Sequence, residues 1–176
     1  MHNPQLADPD NKWSKAIAPI AKKRTKTDED RWTIYKLKFL GGLYIGQGGV
    51  VVPAPNIHKC FRDAAVLRKL GSTVDRAIVS VSPEFPLEYD GPRDPEELWQ
   101  QPKHRYLTTI VVRRNRIPHM RPCFPSWQLT AEWELVTEQM DMDDLTEVVQ
   151  TAGLLIGLGD ARVKGMGRFS AVVKHA

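Results

Sequence analysis

The chain has 176 residues, 41% of them apolar and 8% aromatic, with 25 basic and 21 acidic side chains and a net charge of +4. This length supports one ordinary domain with a core, and the composition excludes disordered and collagen-like proteins. Mean hydropathy is −0.39 and no apolar run approaches the roughly 18 residues that span a bilayer, so no membrane partner is expected. The polar start and two widely separated cysteines predict a cytoplasmic protein with reduced thiols, no cofactor and no metal site.

The charges are unevenly placed along the chain. Residues 1–27 carry six cations against two acids, and the remainder is neutral. Within that remainder, residues 103–121 hold six cations and no acid, whereas residues 122–150 hold seven acids and no base. Such separation predicts a protein that binds a polyanion on one face or stacks unlike faces on copies of itself. Ordinary solvated faces of strands and helices are the alternative.

Local signals predict the first elements. Residues 1–26 lack sustained periodicity and are interpreted as a basic N-terminal arm, followed by a single domain over residues 27–176. Thr27 and the acids after it predict a helix start, and Gly41-Gly42 predicts its end. The glycines of residues 46–49 predict a hairpin turn.

The next elements are a helix, a short strand and an irregular segment. Asn56 is expected to cap the helix, with Ile57, Cys60, Phe61, Ala64 and Leu67 facing inward. Residues 76–81 are expected to form the strand and residues 83–92 the irregular segment.

The second half contains three predicted strands and one helix. Residues 107–113 form a β-branched strand, and the prolines within residues 117–123 confine that segment to an edge or irregular piece. Trp127 to Leu135 alternates apolar and polar residues and predicts one half-buried strand. Asp141 caps a helix, and residues 167–173 are expected to form the last strand. Antiparallel alternation of this kind predicts an α+β fold with helices packed on a mostly antiparallel sheet.

A glycine loop lies between the last helix and the last predicted strand. Four glycines allow positive φ angles and close backbone approach, so the loop can offer backbone N–H groups and cations to phosphates. Its candidate binding residues are Gly157, Gly159, Arg162, Lys164, Gly165, Gly167 and Arg168. It contains no GK[ST] and no helix follows its glycines, so it is neither a Walker loop nor a dinucleotide fingerprint. A long turn solubilised by charges is the alternative.

A second segment, residues 44–70, runs from the glycine hairpin through a proline turn into a helix with Lys59 and Arg62 facing outward. A helix N-terminus after such a turn suits an anion, although any helix can begin this way. The two segments together resemble the repeat-associated mysterious protein (RAMP) superfamily, whose members form the RNA-binding backbones of CRISPR effector complexes. The early match to its I-P-G-S-S-L-K/R-G turn is Val52 to Lys59, which departs at the glycine and serines. The late match to its G-L-G-x(n)-R/K-G-x-G-R loop is Gly157 to Arg168, which is close.

Most of the chain also resembles a family of uncharacterised bacteriophage and prophage proteins. These resemblances imply a modified ferredoxin-like, RNA-recognition-motif-like fold, a single-stranded nucleic acid held along a basic groove, and side-by-side self-assembly into a homo-oligomer or filament. They also imply action in the cytoplasm of a bacterial host. The function expected is therefore non-enzymatic binding of single-stranded RNA or DNA, and the alternative is an inhibitor or decoy that binds a host CRISPR complex.

Further cations and aromatic residues are assigned to the same predicted site. Phosphate contacts are expected from Lys59, Arg62, Arg113, Arg114, Arg116 and the arm residues Lys22, Lys23 and Arg24. Tyr106 and Phe169 lie beside cations and are stacking candidates, whereas Trp127 and Trp133 are expected to pack in the core.

Catalysis is the weakest of the alternatives. A metal-independent ribonuclease would use histidines as acid and base, and the candidates are His58, His104 and His119. These histidines have no metal-ligand spacing and no nucleophile signature accompanies them, so no catalytic residue is assigned.

Overall fold

Helices and antiparallel strands make up the chain, in a computed structural model that describes residues 4–112 and 114–175. The α-helices are α1 (Lys12–Ala21), α2 (Asp28–Gly42), α3 (Ala54–Val66), α4 (Gly71–Ala77), α5 (Pro95–Gln100) and α6 (Met142–Thr151). The strands are β1 (Ile45–Gly46), β2 (Gly49–Pro53), β3 (Ile78–Ser80), β4 (Glu84–Tyr89), β5 (Arg105–Val112), β6 (Asn115–Pro122), β7 (Trp127–Leu129) and β8 (Trp133–Leu135). Short 3-10 turns lie at Pro4–Leu6, Pro102–His104 and Arg162–Lys164, and a π-helical segment lies at Ala152–Ile156. This mixture of helix and antiparallel sheet confirms the predicted α+β class.

The chain divides into two compact units. The first unit comprises residues 52–85 and 130–175, and the second unit comprises residues 4–51 and 86–129. The boundaries fall within two strands. Residues 49–51 of β2 and 86–89 of β4 belong to the second unit, and the other residues of these strands belong to the first. Strands β1, β2, β4 and β7 form a sheet in that order, β3 pairs with β8, and β5 pairs with β6. No helix of the described residues is both long enough and apolar enough to cross a bilayer.

In the second unit, α2 begins where the sequence predicts. The Thr27 side chain accepts a hydrogen bond from the Asp30 N–H, and the Asp30 carboxylate accepts one from the Thr27 N–H, each at 3.1 Å. This capping box satisfies two N–H groups at the helix end that no helical carbonyl can reach. Phe39 and Leu40 are buried, and the helix runs through both terminal glycines to Gly42.

Strands β5 and β6 form a hairpin of eight residue pairs, from Arg105 opposite Pro122 to Val112 opposite Asn115. The prediction of an edge strand here is confirmed, and the positions of the prolines explain why they are tolerated. The Cys123 N–H donates to the His104 carbonyl at 2.8 Å, so odd-numbered residues of β6 point their backbone polar groups toward β5. Pro118 and Pro122 therefore face away from β5, where the N–H that proline lacks is not needed.

In the first unit, α3 begins at Ala54, three residues before the start that a cap at Asn56 predicts. Pro53 precedes the helix and Pro55 occupies its first turn, where a missing N–H leaves no helical bond unmade. The prediction of Asn56 as the cap is therefore wrong, because Asn56 already lies inside the helix. The inward face is confirmed for Ile57 and its partners up to Ala64, whereas Leu67 is exposed because the helix ends at Val66.

Helix α6 starts at the predicted cap and changes geometry near its end. The Asp141 carboxylate accepts a hydrogen bond from the Asp144 N–H at 2.8 Å. After Thr151 the chain continues as the π-helical segment, in which Gly153 accepts a hydrogen bond from the Phe169 N–H at 3.2 Å. A side chain at Gly153 would overlap the Phe169 carbonyl, so the return of the chain requires a glycine here.

Several strand predictions differ from the structure. Trp127 to Leu135 keeps its alternating exposure but is not one strand, because β7 pairs with β4 while β8 pairs with β3. Residues 83–92, expected to be irregular, contain β4 with Phe85 and Leu87 buried. Residues 167–173 are not assigned to a strand. The predicted strand at 76–81 is shorter, because α4 occupies its first two residues.

Candidate nucleic-acid interface

The predicted binding residues are distributed over both units. The first unit contains Lys59, Arg62, Gly157, Gly159, Arg162, Lys164, Gly165, Gly167 and Arg168. The second unit contains Lys22, Lys23, Arg24, Tyr106, Arg114 and Arg116. Arg113 lies outside the described residues.

The glycine loop, residues 157–168, is closed at its base by a backbone hydrogen bond. The Leu158 N–H donates to the Gly167 carbonyl at 2.8 Å, which brings the two ends of the loop side by side. Gly157 has φ of 79° and Gly167 has φ of 71°, in the left-handed region that favours glycine. A Cβ on Gly167 would overlap the Leu158 carbonyl oxygen. The expected positive φ angles are thus present, and the loop is a closed turn with a defined backbone.

The glycine loop contacts α3. The Cys60 thiol donates to the Gly157 carbonyl at 3.3 Å. The Arg162 guanidinium lies 3.1 Å from an Asp63 carboxylate oxygen, and Lys59 pairs with the same carboxylate. The two segments that carry the RAMP resemblance are therefore neighbours within the first unit.

Burial and charge at this contact determine the state of the Cys60 thiol. Burial raises the pKa of Cys60 to about 11, and the nearby Asp63 carboxylate acts in the same direction. Arg162 and Arg168 oppose this increase without cancelling it. The thiol is consequently protonated at neutral pH, which makes it a hydrogen-bond donor and a poor nucleophile.

Most cations of this site already have carboxylate partners. Asp63 serves both Lys59 and Arg162, and Asp75 on α4 receives the Arg62 guanidinium at 2.8 Å. A phosphate that recruits these side chains must compete with a carboxylate already in place. Arg168 forms no salt bridge with an acid in the described part of the chain, and its side chain is exposed.

The hairpin, residues 105–122, has a different charge environment. Arg114 lies at its turn with φ of 70°, and Arg116 lies opposite Val111; both arginines are exposed. Leu107 and Val111 expose 54% and 70% of their surface on the same strand. The hairpin contains no acidic residue, so no carboxylate of its own competes for the arginines.

Tyr106 and the arm residues have less distinctive surroundings. Tyr106 lies opposite Arg121 and is half-buried. Lys22 caps the C-terminal end of α1, and Lys22 and Arg24 are exposed. Lys23 forms a salt bridge of 2.6 Å with Asp30, which holds the pKa of that carboxyl below its usual range. The segment thus joins two helices and has one of its three candidate cations paired.

An aromatic cluster in the second unit was not foreseen as a binding feature. The Arg105 guanidinium lies 5.2 Å from the ring centre of Trp32 and 5.1 Å from that of Trp99. Trp99 is buried, whereas Trp32 is 48% exposed. The sequence carries no signal that Arg105 would meet Trp32, because the two residues are more than 70 positions apart.

Two of the three candidate catalytic histidines lie beside a carboxylate or backbone carbonyls. His58 lies 3.9 Å from Asp75. His104 is buried with its ring nitrogens 2.9 Å from the Cys123 carbonyl and 3.1 Å from the Asp90 carbonyl. His119 lies in β6. Within residues 4–112 and 114–175, no three histidine, cysteine or acidic side chains come together as metal ligands.

Comparisons with protein-family models, with curated proteins and with solved structures find no match to this chain.

Proposed function

We propose that this protein binds single-stranded nucleic acid without catalysing a reaction, with the hairpin as its principal phosphate-binding element. The observation that carries the proposal is an exposed antiparallel ribbon with arginines, accessible apolar side chains and no acid. Phosphates bind cations whose charge is not already neutralised, and the affinity then falls with added salt.

The dimensions of the hairpin suit this role. Eight residue pairs at about 3.4 Å per residue give a ribbon roughly 24 Å long between its first and last pairs. Arg114 and Arg116 occupy the turn end, and Arg105 begins the ribbon at the other end. Strands with apolar side chains between cations suit single strands, because each nucleotide offers both a phosphate and a flat base.

The remaining parts of the proposal rest on the resemblance to the RAMP superfamily and to phage proteins. They are a ferredoxin-like arrangement of the sheet, an action in the cytoplasm of a bacterial host and self-assembly along the strand. Exposed apolar side chains of the first unit support self-assembly, since large apolar groups at a surface favour protein contacts. The most exposed are Leu67, Leu154, Val163 and Val172, at 60%, 73%, 90% and 81%.

The same exposed side chains favour one second candidate, a protein that docks on a host CRISPR complex as an inhibitor or decoy. This candidate predicts tight binding to a protein partner and little affinity for free nucleic acid. A pull-down with a purified CRISPR complex and the matched nucleic-acid titration distinguish the two functions.

Fluorescence polarisation with labelled single-stranded RNA and DNA, at low and moderate salt, tests the proposed function. We expect binding at low salt that weakens as salt rises. The logarithm of the association constant should fall against the logarithm of the salt concentration with a slope of about −0.7 per phosphate contact. The double variant Arg114→Gln/Arg116→Gln should weaken binding by about tenfold and reduce that slope.

A matched control has the same change in net charge at arginines outside the proposed interface. Arg68, which pairs with Glu147, and Arg76, which donates to the Ser72 carbonyl, are suitable positions. The variant Arg68→Gln/Arg76→Gln should bind as the unaltered protein does. Equal losses in both double variants would show that only net charge matters, and absence of binding at low salt would refute the proposed function.

A further inference from the structure

We infer that Trp32, held by Arg105 and Trp99, is a stacking platform for a base of the bound single strand. This inference rests on the proposed function and adds a base-binding site to the phosphate contacts of the hairpin. Trp32 is an exposed aromatic side chain that the fold of the second unit leaves without complete cover.

The exposure of Trp32 is the first observation. Its side chain lies in the second turn of α2, and 48% of its surface is open, although a buried indole, Trp99, lies next to it. The two ring centres are 5.2 Å apart with planes tilted by 53°. An indole with 48% of its surface open can accept a flat partner there without moving the core.

Trp32 packs on a cluster of aromatic side chains, two of which are buried. Trp99 is 3% exposed and packs edge-on against Phe39, which is fully buried, with ring centres 5.3 Å apart. Tyr35 meets Trp32 edge-on at 6.4 Å. Because these neighbours limit the rotation of the Trp32 ring, little conformational entropy remains to be lost when a base stacks on it.

Arg105 supplies the second observation. Its guanidinium lies within 5.2 Å of both indole centres, an arrangement typical of cation–π contact. Arg105 is also the first residue of β5, so Trp32 lies at the end of the hairpin opposite the turn that carries Arg114. The charge beside the indole favours a ligand that combines a flat π system with a phosphate, which is a nucleotide.

Neighbouring acids do not oppose this occupant strongly. Glu96 of α5 pairs with Lys36 of α2 at 2.6 Å, one helical turn beyond Trp32. Asp28, one turn before it, pairs with Arg31. These carboxylates are therefore already matched by cations.

The test separates base stacking from phosphate binding. Binding is measured for an oligothymidylate and an oligouridylate of about 15 nucleotides and for abasic strands of the same length, which keep the phosphates and lack the bases. We expect the base-bearing strands to bind more tightly than the abasic strands. Trp32→Ala should weaken only the binding of the base-bearing strands, by roughly 5- to 150-fold. Trp32→Phe should retain part of the difference in affinity between base-bearing and abasic strands.

Trp13→Ala is the matched control. Trp13 is another indole of the same unit that is only partly buried, with the Lys12 ammonium 4.6 Å from its ring centre. This variant should not change the ratio of affinities for base-bearing and abasic strands. Circular dichroism of each variant shows whether the helices are retained, and Trp32→Phe keeps a ring in place if Trp32→Ala unfolds.

Two outcomes overturn the inference, and they are distinguishable. If both kinds of strand bind, lose affinity in Arg114→Gln/Arg116→Gln and retain their affinity ratio in the Trp32 variants, the platform is refuted and the proposed function stands. If neither kind of strand binds at low salt, the platform and the proposed function both fail.

Discussion

The hairpin and the glycine loop are both basic segments, but their cations have different partners. The loop folds back on α3, where Asp63 meets both Lys59 and Arg162. The hairpin contains no acid, and its arginines at residues 114 and 116 are exposed. The comparison teaches that a count of cations does not identify a polyanion site, because a paired cation must first leave its carboxylate.

The two regions also differ in how their backbones are constrained. The loop depends on glycines at positive φ and on a close approach between its ends, as at Gly157 and Gly167. The hairpin depends on a regular ladder of paired strands. The glycine loop therefore has a defined backbone within its unit, and the hairpin receives the principal binding role in our proposal.

The largest expected effect comes from filling the space between the ends of the loop. Gly167→Ala should destabilise the first unit by at least about 3 kcal/mol, because the new Cβ would overlap the Leu158 carbonyl at a positive φ. Gly159 also has a positive φ but open space around it, so Gly159→Ala should cost only about 1–2 kcal/mol. Urea unfolding of both variants measures the difference, and equal costs would show that the loop ends are not in contact.

The two cysteines report on the two regions separately. Burial raises the pKa of Cys60 to about 11 under the glycine loop, and it also raises the pKa of Cys123 beside the hairpin. Cys60 is completely buried, whereas Cys123 is half-buried. Alkylation requires the thiolate, so Cys60 in the folded protein should react about 100-fold more slowly than in urea.

The dependence on pH follows from the same pKa values. Because the Cys60 pKa is raised, its alkylation rate should keep rising with pH up to about 11. Mass spectrometry of tryptic peptides after iodoacetamide treatment at pH 8 to 10 follows each site. Faster reaction at Cys60 than at Cys123 in the folded protein would contradict the closed contact between the loop and α3.

The smallest expected effect tests whether the ion pairs with Asp63 reduce the contribution of Lys59 and Arg162 to nucleic-acid binding. Asp63→Asn removes the carboxylate that Lys59 and Arg162 share. The two freed cations should raise the affinity for single-stranded nucleic acid by about fivefold and steepen its salt dependence. Asp10→Asn, which frees the exposed Lys15 of α1, is the control with the same change in charge. An affinity no higher than that of the control would show that the loop cations do not face the ligand.

Helix boundaries were the most predictable part of the fold. Thr27 and Asp141 were both expected to cap helices, and both accept the hydrogen bonds that this requires. The cap is a contact between residues three apart, so the information lies within one short stretch of sequence. The prediction of Asn56 as the cap of α3 is wrong because Pro53 and Pro55 permit an earlier helix start. The sequence does not show which of the two starts is favoured.

Strand continuity was less predictable than strand pattern. The segment from Trp127 to Leu135 alternates in exposure as expected, yet it divides into β7 and β8 with different partners. Alternation states which side chains share a face, but a strand ends where its partner ends. That partner is distant in sequence, since Leu129 of β7 pairs with Leu87 and Leu135 of β8 pairs with Ile78, so no local pattern contains it.

The sequence by itself determined the α+β composition, the helix caps, the glycine turn and the run of cations without acids in the hairpin. All of these depend on the order of neighbouring residues or on a simple count. Only the tertiary structure decided that Asp63 pairs with both Arg162 of the loop and Lys59 of α3, and that Arg105 meets an exposed Trp32. The physical reason is that charge neutralisation and stacking act over a few ångströms, between side chains that the chain brings together from distant positions.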